Sequence, residues 1–201
     1  MSLQILEACH GRYIEAAELA SHIAVVARGG NHGGIVCRKL QLGEEAAPAA
    51  TLTRLEDAVA QTISELCAVR LPKNMGILPD QIQVLSPTKK GNAGTVELNR
   101  RLQAQLNPPA PDKRQRQFGD TIFREGDRVM QLRNNYDILW KKVDGSAVGS
   151  GVFNGDIGTV RSISMEMETM TVVFDDREAE YDFTMLGELE PAYALTVHKS
   201  Q

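Results

Sequence analysis

Tyr193-Ala-Leu-Thr-Val-His-Lys-Ser-Gln201 is the stretch that most narrows what this chain can become. Tyr193 to Val197 is mostly apolar and rich in residues that favour a strand. His198-Lys199-Ser200-Gln201 then follows without transition, four side chains that all carry hydrogen-bond donors. A buried strand running into a polar loop at its carboxyl end is where open α/β sheets hold their ligands. Any surface strand must also end in something polar, so the tetrapeptide alone does not select the functional reading.

A second stretch has the same design. Asp80 to Leu85 reads as a short strand, with Ile82 and Val84-Leu85 as its buried residues. It runs into Ser86-Pro-Thr-Lys-Lys-Gly91, and a helix is expected from Thr95 to Leu106, with Leu98, Leu102 and Leu106 four apart and Asn107-Pro108 as its stop. Hydroxyls at Ser86 and Thr88, free amides and two lysines would suit a nucleic-acid phosphate backbone. An ordinary βα turn with surface lysines explains the loop equally well when it is judged alone.

The totals exclude several classes. With 42% hydrophobic and 24% charged residues the chain has ordinary globular composition. Cys9, Cys37 and Cys67 are odd in number and contain no CxxC pair, which points to reduced thiols in the cytoplasm and away from a disulfide framework or zinc site. No 18-residue apolar run exists to cross a membrane, and no basic, apolar leader precedes Leu6-Glu-Ala-Cys9. The formal net charge is −4 but unevenly spread. Val84 to Phe118 holds seven basic residues (Lys89, Lys90, Arg100, Arg101, Lys113, Arg114, Arg116) against two acidic, whereas Ser164 to Glu190 holds nine acidic against Arg177. The basic middle could lie on DNA while the acidic part stays away.

The remaining segments are read by pattern. Arg12 to Arg28 suggests a helix capped by Gly29, Ile35 to Leu42 a strand, and Gly43 to Ala50 a linker. Gly29 and Gly34 have phosphate-loop spacing, but Ile35 stands where GxxxxGK[ST] requires lysine, so a turn is the better account. Thr53 and Glu56 form a capping box for a helix whose apolar residues Leu55, Val59, Ile63, Leu66 and Val69 continue up to Pro72. Pro108 to Gly119 reads as a loop, Phe123 to Leu132 as a turn into a strand, and Gly145 to Gly151 as a mobile loop. Asn154-Gly155 marks a tight turn, and strand-like runs at Ile157–Ile163, Met170–Phe174 and Glu178–Phe183 suggest a small antiparallel barrel. Met170-Thr-Val-Val-Phe-Asp-Asp176 imitates a strand ending in magnesium-binding carboxylates, but a hairpin turn explains it better and no metal is assigned.

These strings together resemble one family. The terminal stretch is similar to the ssDNA-contacting motif V of superfamily 1 helicases in the RecD-like branch, the exodeoxyribonuclease V alpha subunit and its stand-alone relatives. Val84 to Gly91, with Gly94-Thr95, Leu98-Asn99 and Leu106-Asn107-Pro108, resembles that family's motif IV region, and Gly126-Asp-Arg-Val129 with Val152 to Gly158 resembles its inserted barrel. The resemblance implies an α/β fold: a RecA-like parallel-sheet domain lacking the P-loop, with an inserted small antiparallel SH3-like β-barrel. It would divide the chain into 1–51 (helix and linker), 52–149 with 190–201 (second RecA-like motor domain) and 150–189 (barrel). Because motif V is interrupted at Gln201, a fragment of a longer helicase is expected.

The implied function is that of an ATP-dependent DNA helicase, 5′-to-3′, acting in recombination and repair in the cytoplasm. Thr88, Lys89, Lys90, Thr196 and His198 would contact single-stranded DNA, Ser200 would orient the same track, and Gln201 would lead toward the nucleotide. No catalytic residue is expected here: ATP and magnesium belong to the intact parent, none is expected bound to this segment, and the segment alone should not hydrolyse ATP. Implied partners are single-stranded DNA, the first RecA-like domain of the same parent, and nuclease or other recombination subunits, with no membrane. A competing reading is a non-enzymatic nucleic-acid-binding or ribosome-associated module built on the small β-barrel. A third, the motor half of a conjugative relaxase, keeps the helicase class.

Overall fold

The computed structural model describes residues 22–28, 35–41 and 49–197, with side chains from Asp57 onward. The described chain is mixed α/β with mostly antiparallel sheets, and it divides into two compact units, residues 1–106 with 193–201 and residues 107–192.

The first unit is built on a four-stranded sheet. Strands β1 (His22–Arg28), β2 (Ile35–Gln41), β3 (Ile82–Ser86) and β13 (Ala194–Thr196) lie in the order β13-β3-β1-β2. β1 pairs antiparallel with both β2 and β3, and only β13 with β3 is parallel. The expected RecA-like parallel sheet is therefore represented by a single parallel pair. The helix expected over Arg12–Arg28 is a strand over His22–Arg28, where β-branched Ile23, Val25 and Val26 outweigh the alanines; its earlier residues, and residues 29–34 where a turn was expected, lie outside the described residues.

Helix α1 (Ala49–Glu65) begins within the expected linker, runs into a π-helical turn (Leu66–Arg70), and continues as α2 (Leu71–Met75). Pro72 does not end the rod as its sequence position suggested. It lacks an N–H to donate back along the helix, and the preceding turn widens so that the Leu71 N–H bonds the Leu66 carbonyl five residues back. Gly76, at φ 66°, ends α2 in the left-handed conformation that glycine tolerates. Ala60, Ile63, Cys67 and Leu71 face the core with Val84, Leu98, Leu102 and Ala194, whereas Val69 is exposed. Burial pushes the Cys67 thiol up to about 12, so it stays protonated and inert at neutral pH.

The second unit contains the hairpin β4 (Gln115–Phe118) with β5 (Thr121–Arg124). It also holds a seven-stranded sheet ordered β12-β6-β9-β10-β11-β7-β8. These are β6 (Arg128–Gln131), β7 (Asn135–Lys142), β8 (Val148–Val152), β9 (Ile157–Ser164), β10 (Thr169–Phe174), β11 (Arg177–Asp182) and β12 (Leu189–Pro191). The sheet thus draws in strands from Arg128 onward besides those of 150–189. β4 falls inside the stretch read as loop, and all but the last residue of β8 inside the stretch read as mobile. Glycine in β8 serves packing: a Cβ on Gly149 would sit 2.4 Å from the Trp140 ring. Asp175-Asp176 is a two-residue turn between paired Phe174 and Arg177, as the hairpin reading has it.

The core of this unit is Phe123, Val129, Ile163, Met170, Phe174, Tyr181 and Leu186 with their neighbours. Two buried polar groups organise its motifs. In Gly126-Asp-Arg-Val129 the Asp127 carboxylate accepts from the Arg124 backbone N–H and the Asn107 amide, each at 2.7 Å, and so closes the turn before β6. Glu188, 5% exposed, accepts from Gln131 at 2.9 Å, from Asn135 at 3.0 Å and from Arg133. Tyr181 donates to Gln131 at 2.9 Å, which extends the network to its far side.

Candidate nucleic-acid interface

The parallel pair β3/β13 sets the candidate site. Ala194 registers with Val84, Leu195 with Leu85 and Thr196 with Ser86, so the two strands end at the same edge of the sheet. The Ser86–Gly91 loop leaves that edge from β3, and the chain after Thr196 leaves it from β13. Of the sequence-read DNA contacts, Thr88, Lys89 and Lys90 stand exposed on the first loop, and Thr196 is the half-buried end of β13. His198, Ser200 and Gln201 lie outside the described residues.

The loop holds its own shape. Ser86 is fully buried; its hydroxyl accepts from the Thr88 N–H at 3.3 Å and donates to the Ala93 carbonyl at 2.9 Å, tying together both ends of the loop. Thr88 Oγ1 donates to the Lys90 carbonyl at 3.1 Å. Helix α3 (Thr95–Leu106) begins directly behind it. Its first two amides are already taken: Thr95 N–H bonds the Thr88 carbonyl at 3.0 Å and Val96 N–H the Lys89 carbonyl at 3.3 Å. Gly94 is required at this contact, since a Cβ would lie 2.5 Å from the Lys90 carbonyl oxygen. The expected supply of free hydroxyls and amides is thus partly consumed. Ser86 and the first amides of α3 shape the loop, while Lys89 and Lys90 face solvent.

The basic count of the middle segment also shrinks in three dimensions. Arg100 and Arg101 both bond Glu97 at 2.6 Å, and Arg101 reaches Asp57 at 2.7 Å. These hydrogen bonds, Arg100 first, pull the Glu97 carboxyl down to about 2, so the cluster stays paired at any ordinary pH. In the second unit Lys113 donates to Asn107, Arg114 donates to the Ile163 carbonyl at 3.1 Å, and the Arg116 guanidinium lies 4.4 Å from the centre of the Phe183 ring.

Asn99 is the residue that sequence reading missed. It lies buried on α3 beside Leu98, its Nδ2 donating to the Ala194 carbonyl at 2.9 Å and its Oδ1 accepting from the Ala194 N–H at 2.8 Å. One side-chain amide therefore supplies β13 with both bonds a neighbouring strand would give, and fixes the strand that leads into His198. The visible signal was a polar side chain next to Leu98 on a helix whose inward residues after Thr95 are otherwise the apolar Leu98 and Leu102.

Residues 98–174 match the family described as the ATP-dependent RecD-like DNA helicase SH3 domain, a span from α3 through β10. That stretch of the chain is thus similar to the SH3 domain of RecD-like helicases. Over 123 residues it is 36% identical to the ATP-dependent RecD2 DNA helicase of Deinococcus radiodurans, a match covering 61% of this chain and 15% of that protein. It is also 30% identical over 147 residues to an uncharacterized protein of Methanocaldococcus jannaschii, covering 64% of this chain and 12% of that protein. The chain thus spans less than a sixth of the length of either protein.

Proposed function

We propose that this chain is part of an ATP-dependent DNA helicase of the RecD-like kind, working 5′ to 3′ in the cytoplasm in DNA recombination and repair. Within it, the first unit from residue 52 to 106, with 193–201, would belong to the second RecA-like motor domain, the boundary expected at 149 moving back because residues 107–149 fold into the second unit, and the loop edge of β3/β13 would form one wall of the track for single-stranded DNA. The observation that carries this reading is the Thr196–Ser86 register, which ends β3 and β13 at one sheet edge, just before the donor-rich Ser86–Gly91 loop and the donor-rich sequence His198–Gln201. Lys89 and Lys90 would meet successive phosphates, Thr88, Thr196 and Ser200 would orient the backbone, and His198 would stack on or hydrogen-bond a nucleotide.

ATP and magnesium are proposed to be held by the parent, since the GxxxxG spacing of Gly29 and Gly34 has Ile35 where a phosphate loop needs lysine. Gln201 is the one residue proposed to lead toward the nucleotide. The chain alone is accordingly proposed to bind single-stranded DNA weakly without hydrolysing ATP, its partners being the first motor domain and recombination subunits such as a nuclease.

The test is a salt titration of binding to a thymidine oligomer. Lys89→Ala with Lys90→Ala should lower affinity about tenfold and flatten the slope of log K against log salt by about 1.4, the loss of two single-strand phosphate contacts. His198→Ala should lower affinity with little change in slope. Unchanged affinity in both variants would place the track elsewhere.

A further inference from the structure

The outer face of the barrel sheet carries a groove that the helicase reading does not use. Leu139 on β7 and Val148 on β8 are 74% and 82% exposed. With Trp140, Thr171 and Glu180 they line one shallow depression, open at β8, the last strand of the sheet. The pairings of β7 with β11 and of β10 with β11 set Leu139 near Glu180 and Thr171 directly across from Glu180, so an apolar spot and a carboxylate adjoin. Neighbouring Glu178 is matched by Arg161 at 3.4 Å and Lys141 at 3.9 Å. Glu180 is exposed and has no ion-pair partner among the described residues.

We propose that this groove docks a short extended peptide segment of a protein partner, bearing an apolar side chain for Leu139 and Val148 and, two residues away, an arginine or lysine for Glu180. Side chains two apart in an extended chain project to the same side about 7 Å apart, between the ~5 Å from β11 to neighbouring β7 and the ~10 Å from β11 to β8. Nucleic acid is the wrong occupant, because the stretch Ser164–Glu190 carries nine acidic residues against Arg177 and repels phosphate. A second copy of the chain would bring the same carboxylate against Glu180, a like-charge meeting that disfavours self-pairing.

The single tryptophan of the chain provides the readout. Trp140 Nε1 is buried without a hydrogen-bond partner, so its indole N–H resonance and ring emission report a change in the groove. The probe is the peptide acetyl-Ser-Leu-Ser-Arg-Ser-Leu-Ser-amide, titrated to ~5 mM against the full chain, a range that covers millimolar docking. Saturable shifts of the Trp140 indole and of the β7, β8 and β11 amides are expected. Glu180→Gln and Val148→Ser, both at exposed positions, should each weaken binding at least about threefold, and the peptide with glutamate in place of arginine should not bind. The proposal is overturned if no saturable shift occurs, if the glutamate peptide binds as well, or if neither substitution matters. Concentration-dependent dimers abolished by Val148→Ser, or a thymidine oligomer shifting these same resonances, would overturn it in favour of those occupants.

Discussion

The Asn99 amide satisfies two backbone groups of Ala194 that are shut off from water, and its removal leaves both without partners. Each buried polar group left unmet costs about 1–3 kcal/mol, so Asn99→Ala should destabilise the first unit by about 2–4 kcal/mol in urea unfolding. Hydrogen exchange at the Ala194 amide should accelerate before that of β3, since β13 loses its outer support first. Ser64 makes the opposite case. Its hydroxyl is fully buried in the helix with no partner, so Ser64→Ala should raise stability by about 1 kcal/mol in the same measurement. Little of this was readable beforehand: the sequence displays an asparagine beside Leu98, but its role depends on which strand, almost a hundred residues later, runs alongside the helix. The lysines were readable because exposed charge on a loop needs no knowledge of the rest of the fold. Arg100 and Arg101 were not, since their partner Glu97 lies on the same helix but Asp57 comes from another.

At the scale of elements, glycines tell which turns rest on backbone conformation and which on close packing. Gly155 has φ 93° and open space around a Cβ, so Gly155→Ala should cost about 1–2 kcal/mol through strain alone. Gly158 on β9 lacks that conformation, but a Cβ there would meet the Val173 carbonyl oxygen at 2.7 Å and the Phe174 ring at 2.8 Å. Gly158→Ala should cost about 1–3 kcal/mol through overpacking. Asparagine separates the mechanisms: it tolerates left-handed backbone and should recover part of the loss at Gly155, while its larger side chain should deepen the loss at Gly158 in thermal melts. The same division explains which elements were legible. α3, β3, β9, β10 and β11 declare themselves by unbroken periodicity. β8 was hidden because Val-Gly-Ser-Gly-Val looks flexible until the Trp140 ring is seen against Gly149, and β1 was hidden because its alanines favour a helix when sheet partners are unknown.

For the molecule as a whole, two carboxylates on different units govern its response to acid. Arg100 and Arg101 hold the Glu97 carboxyl at about 2, against an ordinary value of 4.5. Burial pushes Glu188 up, but hydrogen bonds from Arg133, Asn135 and Gln131 outweigh it and leave the group below its ordinary value. In both cases the folded chain binds the proton less readily than the unfolded chain. Their contribution is therefore fully present above the unfolded value and lost as pH falls, for Glu97 between about pH 5 and pH 2. Glu97→Gln should flatten the fall of the melting temperature across that window, and Glu188→Gln should lower the melting temperature at neutral pH and flatten the acid fall as well. Salt tells the two apart. The Glu97 pairs are partly exposed, with Arg100 70% accessible, so ~0.5 M salt should erase most of the Glu97 effect. Glu188 is 6% accessible at its side chain and takes two of its donors from uncharged amides, which salt screens little. An acid transition that moves with salt in wild type, and no longer moves in Glu97→Gln, is the expected result of melts at each pH and salt.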